Sequence, residues 1–233
     1  MFFDITILIV IPAMIFALIA QARVRSAFNR FGETPNSSGM TGAEAAERLM
    51  AEAGVSGVAI EMIPGALGDH YDPRERTLRL SEAVYKSRSV SAVGVAAHET
   101  GHAIQHSLNY SPLAIRNSFL PAARFGSGLA VPMFILGMFI SYLAVMPGLG
   151  YLLMQAGIIL FSLVVAFQLV TLPVEFNASK RALACLGESR ILNGEELAQA
   201  GKVLNAAALT YVAAAAVSLT QLLRLLMLSG RRR

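Results

Sequence analysis

The chain has 233 residues, of which 55% are apolar and only 15% charged, with a formal net charge of +4. That is too little polar surface for an ordinary soluble domain of this length. The positive excess shows no basic face interleaved with aromatics, so no nucleic-acid partner is expected and the charge reads as membrane-topological. A single cysteine, Cys185, rules out a disulfide within the sequence and is expected to be a small buried side chain rather than a nucleophile.

Residues 5 to 22 carry no charge, close to the ~20 residues a membrane-spanning helix needs. Ala20-Gln-Ala22 is vaguely cleavage-like, but no Lys or Arg precedes the run, and Arg23, Arg25 and Arg30 follow it. An uncleaved anchor over 4–22 with its N-terminus outside is the expectation.

The next segment is polar. Thr41-Gly-Ala-Glu44 is a capping-box pattern opening a helix whose apolar side carries Ala45, Ala46, Leu49, Met50 and Ala53, with Gly54 as its stop. Val58, Ile60 and Met62 alternate with smaller or polar residues up to Pro64-Gly65, which predicts a short half-buried strand. Gly68-Asp-His-Tyr-Asp-Pro73 is expected to be a turn, and Thr77-Leu-Arg-Leu80 a second strand. An edge strand here could hold an extended peptide by main-chain hydrogen bonds or could simply complete the core. His70 has two readings as well, as a donor to a developing oxyanion or as a turn residue with local hydrogen bonds.

Ser89-Val-Ser-Ala-Val-Gly-Val-Ala-Ala97 then predicts a helix running into His98-Glu99-Thr100-Gly101-His102. On a helix, residues i and i+4 share a face and lie about 6 Å apart along the axis. Two imidazoles can converge from there on one Zn²⁺, at about 2.1 Å each. Glu99 sits beside them, too far round to ligate the ion but able to accept a proton from a water at the metal.

From Phe125 to Val174 fifty residues carry no charge. They predict two spans, 125–146 and 150–173, joined by a tight turn at Met146-Pro-Gly-Leu-Gly150. Arg116 and Arg124 before this hairpin, and Lys180, Arg181, Arg190 and Lys202 after it, place both flanks in the cytoplasm by the positive-inside rule. The last apolar run, 204–228, is at odds with that rule: as a full span it would send Arg231-Arg-Arg233 outward. Gln221 and Arg224 would let it lie partly in the interface or pack on the bundle.

A catalytic zinc takes three protein ligands and keeps one position open. His106 is near in sequence, but on a continuous helix it lies about 12 Å of rise from His98, and three points in a line cannot surround an ion. Glu175, in Leu172-Pro-Val-Glu-Phe-Asn-Ala-Ser-Lys-Arg-Ala182, is the sole acid between Glu99 and Glu188. An acid at the end of an apolar helix is costly unless paired or bound to metal. Its other reading is an interfacial side chain facing water or pairing with Lys180 or Arg181.

HETGHAIQH, with DHYDP and LSEAVY before it and LVTLPVEFNASKRA after it, resembles the YugP-like family of bacterial membrane zinc metallopeptidases. The resemblance extends over essentially the whole chain, from SGMTGAEAAERL to KVLNAAALTYVAA. It implies a gluzincin-type site: His98, His102 and Glu175 as ligands of one Zn²⁺, and Glu99 as general base. The pattern is also similar to HtpX-like and CAAX-prenyl-type membrane proteases, where an Asp follows the third ligand by four residues. This chain has Ser179 there, so the hydrogen bond to a ligand histidine would fall to Ser179 or Asn177.

The expected fold is a mainly α-helical multi-span membrane protein with a small α+β zincin-like (gluzincin) catalytic domain. Its expected parts are an anchor (1–22), a cytoplasmic α+β domain with the HExxH helix (23–124) and two membrane helices (125–173). A cytoplasmic segment with the third ligand (174–203) and a C-terminal membrane helix (204–233) complete it. The expected activity is hydrolysis of peptide bonds in membrane-associated protein or peptide substrates, with the site facing the cytoplasm at the inner (plasma) membrane. The alternatives are a zinc-binding membrane scaffold without proteolytic activity and a small transporter. The last requires ionisable residues in mid-span, and the first three spans have none.

Overall fold

The computed structural model describes residues 5–65, 68–143 and 146–230; the tripeptide Arg231-Arg-Arg233, whose charge bears on the last span, lies outside them. In chain order the elements are α1 (Ile7–Gly32), α2 (Gly42–Glu52), β1 (Ala59–Ile63), β2 (His70–Asp72) and β3 (Thr77–Ser81). They continue with α3 (Glu82–Tyr85), α4 (Val90–Ser107), α5 (Ser111–Tyr142), α6 (Pro147–Glu188) and α7 (Gly194–Gly230). Among the described residues, α1, α5, α6 and α7 are long and apolar enough to cross a membrane. The chain divides into two compact units. One comprises Met1–Ile19, Ala114–Leu172 and Tyr211–Arg233; the other comprises Ala20–Leu113 and Pro173–Thr210.

The first unit is helical. Its core is Phe134, Met154, Ile158 and Leu225, with Met138, Tyr151 and Phe161 packed against it. Large side chains such as Phe125, Leu152 and Ile159 point outward, the arrangement expected where lipid replaces water around a bundle. Glycines bring α5 and α6 together: a Cβ on Gly157 would lie 2.7 Å from the Ala130 carbonyl oxygen. The connection between these helices falls earlier than the expected turn at 146–150, because α6 already begins at Pro147. Proline is favoured in the first helical turn, where its missing N–H leaves no bond unmade.

The second unit carries the polar elements. The capping box of α2 forms as its sequence predicts: Glu44 N–H donates to Thr41 Oγ1 at 3.2 Å, and Thr41 N–H donates to Glu44 Oε2 at 2.7 Å. The sheet is mixed, in the order β1-β3-β2, with β1 parallel and β2 antiparallel to the central β3. Leu78 and Leu80 of β3 are fully buried, each contributing about 1.5–3 kcal/mol of burial energy.

The expected turn at 68–73 contains the edge strand β2, whose Tyr71 lies opposite Leu78. Three residues are too few for an alternating pattern to show in sequence. The strand is held instead by Asp69, whose carboxylate accepts from Ser81 N–H at 2.7 Å and from its hydroxyl at 3.0 Å.

Helix α4 is the centre of this unit. Ser89 caps it, accepting from Ala92 N–H at 3.2 Å, and it is buried on nearly every side from Val90 to Gln105. One side packs Val90, Val93 and Ala97 on Leu49, Ala182, Leu186 and Leu204. Another packs Ala92, Ala96 and Ala103 on Met50, Leu78, Leu80 and Val84. It approaches α6 closely at Gly101, where a Cβ would lie 2.6 Å from the Ala178 carbonyl oxygen.

Alanine in place of glycine ordinarily stabilises a helix interior by about 0.5–1 kcal/mol. At Gly101 the sign is expected to reverse: Gly101→Ala should destabilise the protein by about 1–3 kcal/mol through overpacking. Denaturant unfolding in detergent measures it, and a midpoint at or above wild type would contradict the contact.

Candidate metal centre

His98 and His102 occupy one face of an α4 that runs unbroken to Ser107. Their rings meet edge to face with centroids 4.9 Å apart. Glu175 arrives from α6, two residues beyond Pro173. Its Oε2 lies 3.2 Å from His98 Nε2 and 3.5 Å from His102 Nε2. All three side chains are buried, and their donor atoms lie within 4.8 Å of one another. Carboxylate and imidazole groups are costly to bury unless something compensates them. Two neutral-capable imidazole nitrogens and one carboxylate oxygen converging on a single point are a donor set that fits Zn²⁺.

The outward nitrogen of each histidine is also engaged. Ser179 Oγ lies 3.1 Å from His98 Nδ1, so the serine occupies the role that the related pattern gives to aspartate. His102 Nδ1 lies 3.0 Å from Gln105 Oε1. Such contacts orient the imidazole rings. The sequence does not mark Gln105: only its spacing, three residues beyond His102 on the same helix face, is visible there, and its complete burial is seen in the fold.

Glu99 is buried beside the histidines, and its Oε2 accepts from Tyr71 N–H of β2 at 3.1 Å. Burial pushes its carboxyl up to about 7; His98 and the Tyr71 N–H oppose that rise, while Glu175 and Asp69 add to it.

The remaining histidines stand outside the cluster. His106 Nδ1 is 2.8 Å from the Tyr71 hydroxyl, and His106 is absent from the group of converging donors. His70 is exposed on β2, its Nδ1 2.8 Å from the Gly68 carbonyl oxygen. That is the local contact of a turn residue. Arg181, considered as a partner for Glu175, donates to Asn177 Oδ1 at 2.8 Å and lies over the Tyr110 ring.

Comparison with known proteins agrees with this geometry. The family model described as "Putative neutral zinc metallopeptidase" matches residues 6–230. The chain is 46% identical over 227 residues to the "Putative membrane protease YugP" of Bacillus subtilis (strain 168), covering 97% of each chain. No solved structure matches. A match over nearly the whole chain, with two histidines and a glutamate buried at one point, means that the protein belongs to this zinc-metallopeptidase family.

Proposed function

We propose that the chain is a membrane zinc metalloendopeptidase with a gluzincin-type site on a zincin-like domain, hydrolysing peptide bonds of membrane-associated proteins. The observation carrying this is the buried convergence of His98, His102 and Glu175. His98, His102 and Glu175 would hold a zinc ion, which when bound would supply Lewis acidity, lowering the pKa of a water towards 7 and polarising a carbonyl.

The chain's own residues supply the rest. Glu99 accepts the proton of the attacking water on its carboxylate and delivers it to the leaving nitrogen, the general acid–base role open to a buried glutamate beside the ligands. Ser179 and Gln105 hold the two imidazoles in orientation. β2 is an edge strand whose Tyr71 N–H reaches Glu99, so an extended substrate added along that edge would bring its backbone to the base. The positive-inside pattern of Arg23, Arg25, Arg30, Arg116, Arg124, Lys180 and Arg181 supports a site facing the cytoplasm at the inner membrane.

Glu99→Gln is expected to retain zinc while turnover of a protein substrate in detergent falls by about 10²–10⁴. Full activity in that variant would remove Glu99 from its role. Glu175→Ala is expected to lose bound zinc, measured as metal per purified chain; unchanged content would return His106 to consideration. Chelation of the wild type separates a peptidase from a zinc-binding scaffold: proteolysis must disappear on metal removal and return with zinc.

A further inference from the structure

Gln105 is fully buried and uses both ends of its amide. Its Nε2 donates to the Val174 carbonyl oxygen at 2.8 Å and to Asn177 Oδ1 at 3.0 Å. Its Oε1 faces His102 Nδ1 at 3.0 Å. Two independent anchors fix which end is which. A main-chain carbonyl can only accept, so the Gln105 atom facing Val174 is the NH₂ group. Arg181 Nε, which can only donate, bonds Asn177 Oδ1 at 2.8 Å, so Asn177 presents its oxygen and again requires the Gln105 NH₂. The Gln105 oxygen is then left for His102, and His102 must carry its proton on Nδ1.

We propose that Gln105 is a positioning residue of the metal centre. The chain Arg181–Asn177–Gln105 holds His102 in the tautomer protonated on Nδ1, leaving Nε2 as a lone pair aimed at the point shared with His98 and Glu175. The same amide ties α4 to the turn of α6 that carries Glu175, so it sets ring orientation and the arrival of the third ligand together. A permanent guanidinium charge at one end thereby joins the Val174 carbonyl in fixing the proton position on His102 at the other. This rests on the metal-site reading above, and its contribution is to binding the metal, not to touching substrate.

A carboxylate separates this role from simple acceptance of the His102 proton. Gln105→Glu keeps an oxygen for His102 Nδ1 but turns acceptors towards the Val174 carbonyl and Asn177 Oδ1. An ordinary carboxylate–histidine–metal arrangement would be preserved or strengthened by that change; the relay is broken by it. The experiment is zinc affinity by chelator competition on the purified full chain in detergent, beside ¹⁵N NMR of the histidine rings in metal-free protein. Gln105→Leu and Gln105→Glu are expected to weaken zinc binding by about 10–100-fold.

The half-buried Asn177 gives a milder variant should the Gln105 variants fold poorly. Asn177→Leu removes the acceptor that Arg181 and Gln105 share and should weaken zinc binding, by less than Gln105→Leu because the Val174 carbonyl still holds the Gln105 NH₂. His102 should show Nδ1–H in the wild type and a tautomer mixture in Gln105→Leu. Wild-type affinity and tautomer in Gln105→Leu, or tighter zinc binding in Gln105→Glu, would overturn the proposal. If the wild type binds no zinc, the metal reading fails, while the ring tautomer in metal-free protein still decides the relay.

Discussion

The contact between α4 and α6 at Gly101 and Ala178 sets the distance on which the site depends. Gly101 lies between Glu99 and His102, so the position with no side chain is also the one where α6 comes in. Any side chain there would meet the Ala178 backbone. Because the helices approach so closely, a glutamate three residues before Ala178 can reach two imidazoles on the facing helix. The glycine costs α4 some intrinsic helix stability, which its burial among apolar neighbours on several sides offsets.

That proximity imposes a second requirement. Imidazoles and carboxylates removed from water need partners for every polar atom, since an unsatisfied one costs more than a made bond returns. The unit answers with short side chains from the same two helices: Ser179 for His98, Gln105 for His102, and Asn177 and the Val174 carbonyl for Gln105. Glu99 is served from a third direction by the main chain of β2. Packing and polar satisfaction are thus arranged by the same contact. A change of helix spacing would disturb the candidate ligands and their supports together.

The small sheet has a modest part that is nonetheless specific. Its central strand fills the core with Leu78 and Leu80, and its edge strand delivers one N–H to the candidate base. Asp69 ties that edge strand to the end of β3. The three-residue strand is therefore held by side-chain and main-chain bonds more than by its own ladder, which is short for independent stability. Tyr71 also reaches His106 through its hydroxyl, fastening the same strand to the last turn of α4.

Much was legible in the chain itself because it depended on local periodicity. The apolar runs marked α1, α5, α6 and α7, though each helix extends beyond its run, since backbone hydrogen bonding continues past the last apolar residue. The capping box marked α2, and His98 and His102 were paired by the 3.6-residue repeat alone. Glu175 could be nominated as an acid with no local reason to be there, but two readings stayed open until α6 was seen against α4. Strand β2 and the role of Gln105 were not legible. Both are decided by partners far away in sequence: Ser81 and Glu99 for the strand, Val174 and Asn177 for the amide. A repeat along one helix places residues on a face; which atoms that face meets is settled only when another segment packs against it.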